Sequence, residues 1–275
     1  MSTLNVVVLA AISWASAVQS YINDIWLLDL ARGNKKRFTY AKGSSFSPIW
    51  SPDGSRVVFA ADTDGVFNLY QKPASGIKNE ERLMKSSERS YPTSWSSDGR
   101  CLLFSTSNPK TKSDLWLLPM EGDSKPIPIA RTDFNESGGR FSPDMSWIAY
   151  ESDESGINEI YVRPFLQTVG KAALEAGSVV LVSKGGGTAP RWRGDSRELY
   201  YRDPTGALMA VEVTAGKLFE ARTPTLLFQA PVVDTIIDTW DVDSRGNRFL
   251  LPTPAAEDSL PSFTVILNWT SLLKK

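Results

Sequence analysis

The chain of 275 residues contains no histidine and a single cysteine. Histidine is the commonest general base, the middle partner of Ser-His-Asp and Cys-His sites and a principal zinc ligand, so those mechanisms are closed to this sequence. No G-x-S-x-G segment occurs, which removes the strained nucleophile elbow as well. The lone Cys101 excludes an intrachain disulfide and a thiolate metal cluster; it opens the apolar run Cys101-Leu102-Leu103-Phe104, where a thiol behaves as a small hydrophobe. Neither sign of charge is in excess: Lys plus Arg total 30 against 31 for Asp plus Glu, interspersed along the chain. Without a basic stripe, nucleic acid is not an expected partner.

Long hydrophobic runs are also missing. The most apolar stretch, Val6 to Ile12, is too short to span a bilayer, so no membrane span is expected. Ala15-Ser16-Ala17 behind it has the small-x-small form of a signal-peptide cleavage site, but no Lys or Arg precedes the run. Val6-Val7-Val8 suits a strand better than a helix, and a strand of the first repeat is the expected outcome.

What is present is a repeat. Trp50-Ser51-Pro52-Asp53-Gly54 recurs as Trp95-Ser96-Ser97-Asp98-Gly99, Phe141-Ser142-Pro143-Asp144-Met145, Trp192-Arg193-Gly194-Asp195-Ser196 and, more weakly, Val242-Asp243-Ser244-Arg245-Gly246. A period of roughly 45 residues is the length of one propeller blade. After each anchor comes an apolar run, a turn and a second run with an aromatic, as in Val57-Val58-Phe59-Ala60 followed by Asn68-Leu69-Tyr70. Short β-branched and aromatic runs bounded by Gly, Asp, Asn and Pro read as strands joined by hairpins. A further short strand ends each unit: Arg82-Leu83-Met84, Ile127-Pro128-Ile129, Val180-Leu181-Val182 and Leu226-Leu227-Phe228. The fold expected is therefore all-β, a β-propeller of four-stranded antiparallel blades. The aromatic anchors Trp50, Trp95, Phe141 and Trp192 are expected to fill the space between neighbouring blades, with Pro-Asp-Gly making the turn behind them.

The ends complicate the count. Asn5 to Ile12, Asp24 to Leu30 and Lys35 to Thr39 read as the last three strands of a blade, whereas Thr239 to Asp243, Arg248 to Leu251 and Thr264 to Trp269 read as the first three. Four complete blades and two partial ones suit a single domain over 1–275, six-bladed with incomplete first and last blades, or a fragment of a larger propeller. Residues 1–23 form an atypical N-terminal segment available as a closing strand. Incomplete blades leave unpaired edges that recruit another chain, so a homo-oligomer is an expected partner arrangement.

These residues resemble the TolB-type, WD-repeat-like propeller family, whose mark is W-S-P-D-G followed by an apolar strand and a strand containing Ile-Tyr or Leu-Trp. Asp24 to Leu30, Gly185-Gly186-Gly187-Thr188-Ala189-Pro190-Arg191-Trp192 and Val265-Ile266-Leu267-Asn268-Trp269-Thr270 look like the C-terminal propellers of bacterial serine/threonine-kinase sensor proteins. The resemblance implies a non-catalytic sensor or interaction role and an extracytoplasmic location. The kinase part itself is absent: no glycine-rich nucleotide loop, catalytic Asp loop or D-F-G appears. Gly185-Gly186-Gly187 lacks a following G-K-[ST] and reads as a loop between blades.

In a propeller the first strand of each blade lines the central channel, so residues just before each anchor are the ligand candidates. One position back stand Ile49, Ser94, Arg140, Arg191 and Asp241; four back stand Phe46, Tyr91, Ser137, Thr188 and Asp238. The arginines and carboxylates suit a small anionic or peptide ligand, or simply pair with one another. A divalent cation such as calcium needs only oxygen ligands; Asp62 and Asp64, with Asp241 and Asp243, have the alternation that calcium loops use, and equally that of ordinary turns. Two functions follow from these readings: a ligand- or protein-binding scaffold, or a metal-dependent ester, lactone or phosphotriester hydrolase working at the channel.

Overall fold

Each W-S-P-D-G copy folds into the same hydrogen-bonded turn, and its chemistry explains why the motif repeats. In the first copy Ser51 donates its amide to the Arg56 carbonyl (2.8 Å), while its hydroxyl accepts from the Arg56 amide (2.9 Å). The same hydroxyl donates to Asp53 Oδ1, which also accepts the Ser55 amide. Ser96 with Asp98 and Ser142 with Asp144 repeat this arrangement residue for residue. The fifth position takes a left-handed backbone in every copy, at Gly54, Gly99, Met145, Ser196 and Gly246, with φ between 59° and 77°. Glycine adopts that conformation without steric cost; Met145 and Ser196 do so against the preference of an L-residue.

The computed structural model describes residues 6–13, 22–29, 32–40, 43–109, 112–122, 125–168, 171–173, 179–215, 218–230, 240–252 and 263–267. No helix occurs among them, and so none is long and apolar enough to cross a membrane. The strands run in sequence order through antiparallel sheets. Val6–Ser13, Ile22–Asp29 and Lys35–Arg37 make a three-stranded sheet. Four-stranded sheets follow: Ser45–Trp50, Arg56–Asp62, Phe67–Pro73, Glu81–Arg82; then Arg89–Trp95, Cys101–Asn108, Lys112–Pro119, Ile127–Ala130; then Glu136–Phe141, Trp147–Ser152, Glu159–Pro164, Val180–Leu181. In the next sheet Thr188–Trp192, Glu198–Arg202, Ala207–Ala215 and Thr225–Gln229 keep the pattern, with Phe219–Ala221 added to the end of the long third strand. Asp241–Val242, Arg248–Pro252 and Phe263–Leu267 form a last three-stranded sheet. Leu166–Thr168 and Lys171–Ala173 pair as a small separate hairpin.

The anchor register read from the sequence is the one observed. Every anchor pairs with the residue seven positions on: Trp50 with Val57, Trp95 with Leu102, Phe141 with Ile148, Trp192 with Leu199 and Val242 with Phe249. The chain divides into two compact units, residues 1–112 with 116–127, and residues 113–115 with 128–275. In the first unit Trp95 lies among Val58 and Leu69 of one sheet and Leu102, Phe104 and Leu118 of the next. In the second unit Trp192 lies among Ala149, Ile160 and Val162 on one side and Leu199, Tyr201 and Val211 on the other. The indoles thus join consecutive sheets, as burial of a large ring between two sheet faces requires.

A second recurring feature was not singled out from the sequence. In four of the sheets the residue before the pair Ile25-Trp26, Leu69-Tyr70, Leu115-Trp116 or Ile160-Tyr161 is polar and buried: Asp24, Asn68, Asp114 and Glu159, whereas Ala207 stands in that place before Leu208-Met209. Each reaches the loop that leads into the next sheet. Thr39 Oγ1 donates to Asp24 Oδ1, Ser86 N to Asn68 Oδ1 and Gly185 N to Glu159 Oε1, and Arg131 lies 4.0 Å from Asp114. A buried polar group costs stability unless it is paired, so in these four sheets the position fixes the approach of the following first strand.

Candidate functional site

In four of the sheets the first strand carries a bulge between the two sets of residues read as channel candidates. Ser47 and Pro48, between Phe46 and Ile49, lie opposite the single Phe59, and the register shifts likewise between Pro92 and Ser94, Ser137 and Arg140, and Thr188 and Arg191. At Ser47, Gly138 and Ala189 the backbone is left-handed, with φ of 50°, 64° and 59°. In a regular strand side chains three apart point to opposite faces; one extra residue brings them onto the same face. The two candidate sets therefore share one face of each of these four sheets. Gly138 has to be glycine here, since a Cβ would run into the Glu151 carboxylate, which itself accepts the Ala189 amide at 2.9 Å.

In the first unit this face gathers aromatic rings. Phe46 lies 5.4 Å from Phe67 with planes at 53°, and Phe67 lies 5.5 Å from Tyr91 with planes at 32°. All three are partly exposed. Phe46 and Tyr91 are the residues four before their anchors, whereas Phe67 opens the third strand, Phe67–Pro73, and enters the row only because Asp62 pairs with it across the hairpin. Burial raises the pKa of the Tyr91 hydroxyl; the Arg89 guanidinium beside it works the other way, and the Asp62 carboxylate adds to the rise.

The charged candidates of the second unit have a different fate. Arg191 is 8% exposed, donates to the carbonyls of Pro190 (2.8 Å) and Trp240 (2.9 Å), stacks over the Trp240 ring and pairs with Asp241 at 3.5 Å. Its guanidinium ties the fourth anchor strand to the segment before the fifth. Arg140, on Glu136–Phe141, is partly exposed, and its carbonyl accepts the Trp192 indole N–H at 3.2 Å. Ser94 is partly exposed three residues after Tyr91. Asp238 lies outside the described residues.

The carboxylates read as metal candidates each accept hydrogen bonds from their own turns. Asp62 Oδ1 takes the Gly65 amide at 2.7 Å, and Asp64 takes Thr63 Oγ1 and pairs with Arg82 at 2.9 Å. Asp243 Oδ1 accepts the amides of Asn247 and Arg248, filling the place that serine holds in the earlier copies, while Asp241 accepts the Val242 amide. Among the described residues no three His, Cys, Asp or Glu side chains converge as metal ligands would. A shallow cleft of about 250 Å³ in the second unit is lined in part by Arg193, Glu198, Glu212 and Arg222. Two of its three arginines are paired, Arg193 with Glu198 at 2.6 Å and Arg222 with Glu212 at 3.2 Å.

No family model and no curated protein matches the chain by sequence. Solved structures do match its fold. TolB from Acinetobacter baumannii is similar over 90% of this chain and 57% of its own, at 15% identity and a TM-score of 0.66. This chain thus spans little more than half the length of that protein. An oligogalacturonate lyase solved in complex with manganese is similar over 90% of this chain and 69% of its own, at 14% identity and a TM-score of 0.57. A chain of a nidogen/laminin complex is similar over 70% of each, at 13% identity and a TM-score of 0.54. At such identities the likeness speaks for architecture, and with the sheets and turns described above it shows an all-β propeller fold similar to that of TolB.

Proposed function

We propose that this chain is a non-catalytic binding propeller, the recognition part of a larger sensor protein, whose ligand is a protein segment or peptide. The observation that carries the reading is the partly exposed row Phe46, Phe67 and Tyr91, flanked by Arg89 and Asp62. Aromatic rings with a polar handle are what recognition surfaces use to gain contact area at low entropic cost. The resemblance to kinase-associated propellers and the fold likeness to TolB and to a chain of the nidogen/laminin complex support the same reading.

A second reading, metal-dependent hydrolysis, draws on the fold shared with a manganese-bound lyase. The donor set described here does not fit a resident cation: Asp62, Asp241 and Asp243 accept backbone amides, Asp64 accepts the Thr63 hydroxyl and pairs with Arg82, and the four form no group of three ligands among the described residues.

The test pairs an array of defined peptides and small anions with ester, lactone and phosphotriester turnover assays, each with and without added divalent ion. Saturable binding that Phe67→Ala weakens, with no turnover, is expected. Chelator-sensitive turnover that Phe67→Ala leaves intact would contradict the binding reading.

A further inference from the structure

We propose that Asp114 and Glu136 form an acid-sensitive catch on the loop 131–135, which is held when Glu136 carries a proton and released when both carboxylates are ionised. The two residues belong to the same compact unit. In the other sheets that share its bulge, the position of Glu136, five before the anchor, is small and uncharged: Ser45, Ser90 and Gly187. All three are buried, as Glu136 is. The sheets that follow Asp24, Asn68 and Glu159 thus open without an ionisable group at that place, and of these four the sheet that follows Asp114 alone adds a second buried carboxylate. The register shift recurs in all four, so the fold itself does not call for this charge.

The two carboxylates grip neighbouring residues of one loop. Arg131, itself exposed, lies 4.0 Å from Asp114; the amide of the next residue, Thr132, donates to Glu136 Oε2 at 3.3 Å and its hydroxyl donates to Oε1. Their strands are in close contact, since a Cβ on Gly139 would stand 2.6 Å from the Leu115 side chain. At the far end of the loop Asn135 donates its amide to Asp153 Oδ1 at 2.8 Å and its side chain to Oδ2 at 2.6 Å. Asp114 and Glu136 are each 1% exposed, and no lysine or arginine pairs with Glu136 among the described residues. The titratable groups that face Glu136 are Asp114, Glu154 and Tyr150, the last of which also faces Arg163. A buried carboxylate in such surroundings takes a proton more readily than it keeps its charge. Burial pushes the Glu136 carboxyl above its ordinary value of 4.5, Asp114 and Glu154 push it the same way, and the two Thr132 hydrogen bonds oppose them without cancelling the rise.

Opening the loop would admit water to Glu136 and return it to its ordinary value. The held loop therefore binds the proton more tightly than the open one, and by linkage the proton favours the held state. That contribution is whole below pH 4.5 and is lost as pH rises through the higher value of the held state. The loop carries Phe134, 40% exposed, so acidity governs how firmly this ring is presented at the surface.

The experiment follows the full chain from pH 4.5 to neutrality by carboxyl-carbon NMR, amide hydrogen exchange and thermal unfolding. The Glu136 carboxyl is expected to titrate above 4.5, and Asp114→Asn should bring its midpoint down. Protection of the Thr132 and Asn135 amides, corrected for the intrinsic pH dependence of exchange, should fall as pH rises in the parent and stay level in Glu136→Gln. The Tm of Glu136→Gln relative to the parent should climb by roughly 2 °C or more across the range, whereas a purely structural effect of the glutamine would offset Tm equally at every pH. A Glu136 midpoint at the ordinary value, loop protection in the parent that is indifferent to pH, or a Tm gap that stays constant would overturn the proposal. The first two readouts need only the parent chain, so a variant that fails to fold leaves the test intact.

Discussion

Replacing Trp95 with alanine tests the packing scheme at one of its joints. The ring is 8% exposed and touches two consecutive sheets through Val58, Leu69, Leu102, Phe104 and Leu118. Its N–H donates to the Gly99 carbonyl at 3.0 Å, and the Arg56 guanidinium lies over the ring at 5.3 Å. Core Trp→Ala changes cost about 3–5 kcal/mol through lost transfer energy and the cavity left behind. The Gly99 carbonyl is in a surface turn and can rebind water, so its loss adds little; the cation–π contact adds about 0.5–1 kcal/mol at a partly exposed site. A total of about 4 kcal/mol corresponds to a fall in Tm of roughly 8–15 °C for a chain of this size. Trp50 provides the control. Its indole nitrogen is buried with no hydrogen-bond partner among the described residues, so Trp50→Phe removes an unsatisfied donor and should cost below about 1.5 kcal/mol. Differential scanning calorimetry of both variants decides the matter: a Trp95→Ala protein melting within a degree or two of the parent, or a Trp50→Phe protein as damaged as it, would refute the assignment of Trp95 as the inter-sheet anchor.

Other consequences are open to the same kind of measurement. At Gly99, with φ of 77° and open space where a Cβ would stand, Gly99→Ala should cost about 1–2 kcal/mol in urea unfolding. Met145→Gly, at the equivalent left-handed position with φ of 61°, should change stability in the opposite direction by up to about 1 kcal/mol. Effects of the same sign would mean that backbone conformation is not what the fifth turn position selects. Burial raises the hydroxyl pKa of Tyr150, Tyr200 and Tyr201, the last from 10.0 to about 12. A raised folded-state value means that the native protein keeps protons the unfolded chain releases, so this contribution to stability is whole below pH 10.0 and is lost as pH climbs through about 12. Tm should fall steeply in that window, with part of the tyrosinate absorbance appearing only as the protein unfolds; a flat Tm up to pH 12 would contradict the burial.

The repeat was legible because its chemistry is local. A serine and an aspartate two residues apart make the same turn wherever they occur, and the anchor register followed from them without knowledge of the rest of the chain. The partial sheets at both ends were legible for the same reason, as strand runs bounded by turns. The buried Asp24, Asn68, Asp114 and Glu159 were written in the sequence too, immediately before each apolar-aromatic pair, but alternating polarity alone does not say that a polar residue is buried. The candidate site was only half legible. Phe46 and Tyr91 were reached by counting back from the anchors, yet Phe67 stands on a third strand and joins them only through the hairpin register and the bulge. Arg191 was legible in one of its two readings: it pairs with Asp241, as the mixture of arginines and carboxylates suggested, but the Trp240 carbonyl that also holds it, 49 residues away in sequence, left no local signal.

Aromatic-ring chemical shifts of the full chain, followed by NMR as peptides of the defined array are added, put the binding surface to the most direct test. Saturable shifts confined to the rings of Phe46, Phe67 and Tyr91 are predicted, with Trp192 and Trp240 unmoved. Shifts that cluster around Arg191 and Trp240, or none anywhere at saturating peptide, would contradict it.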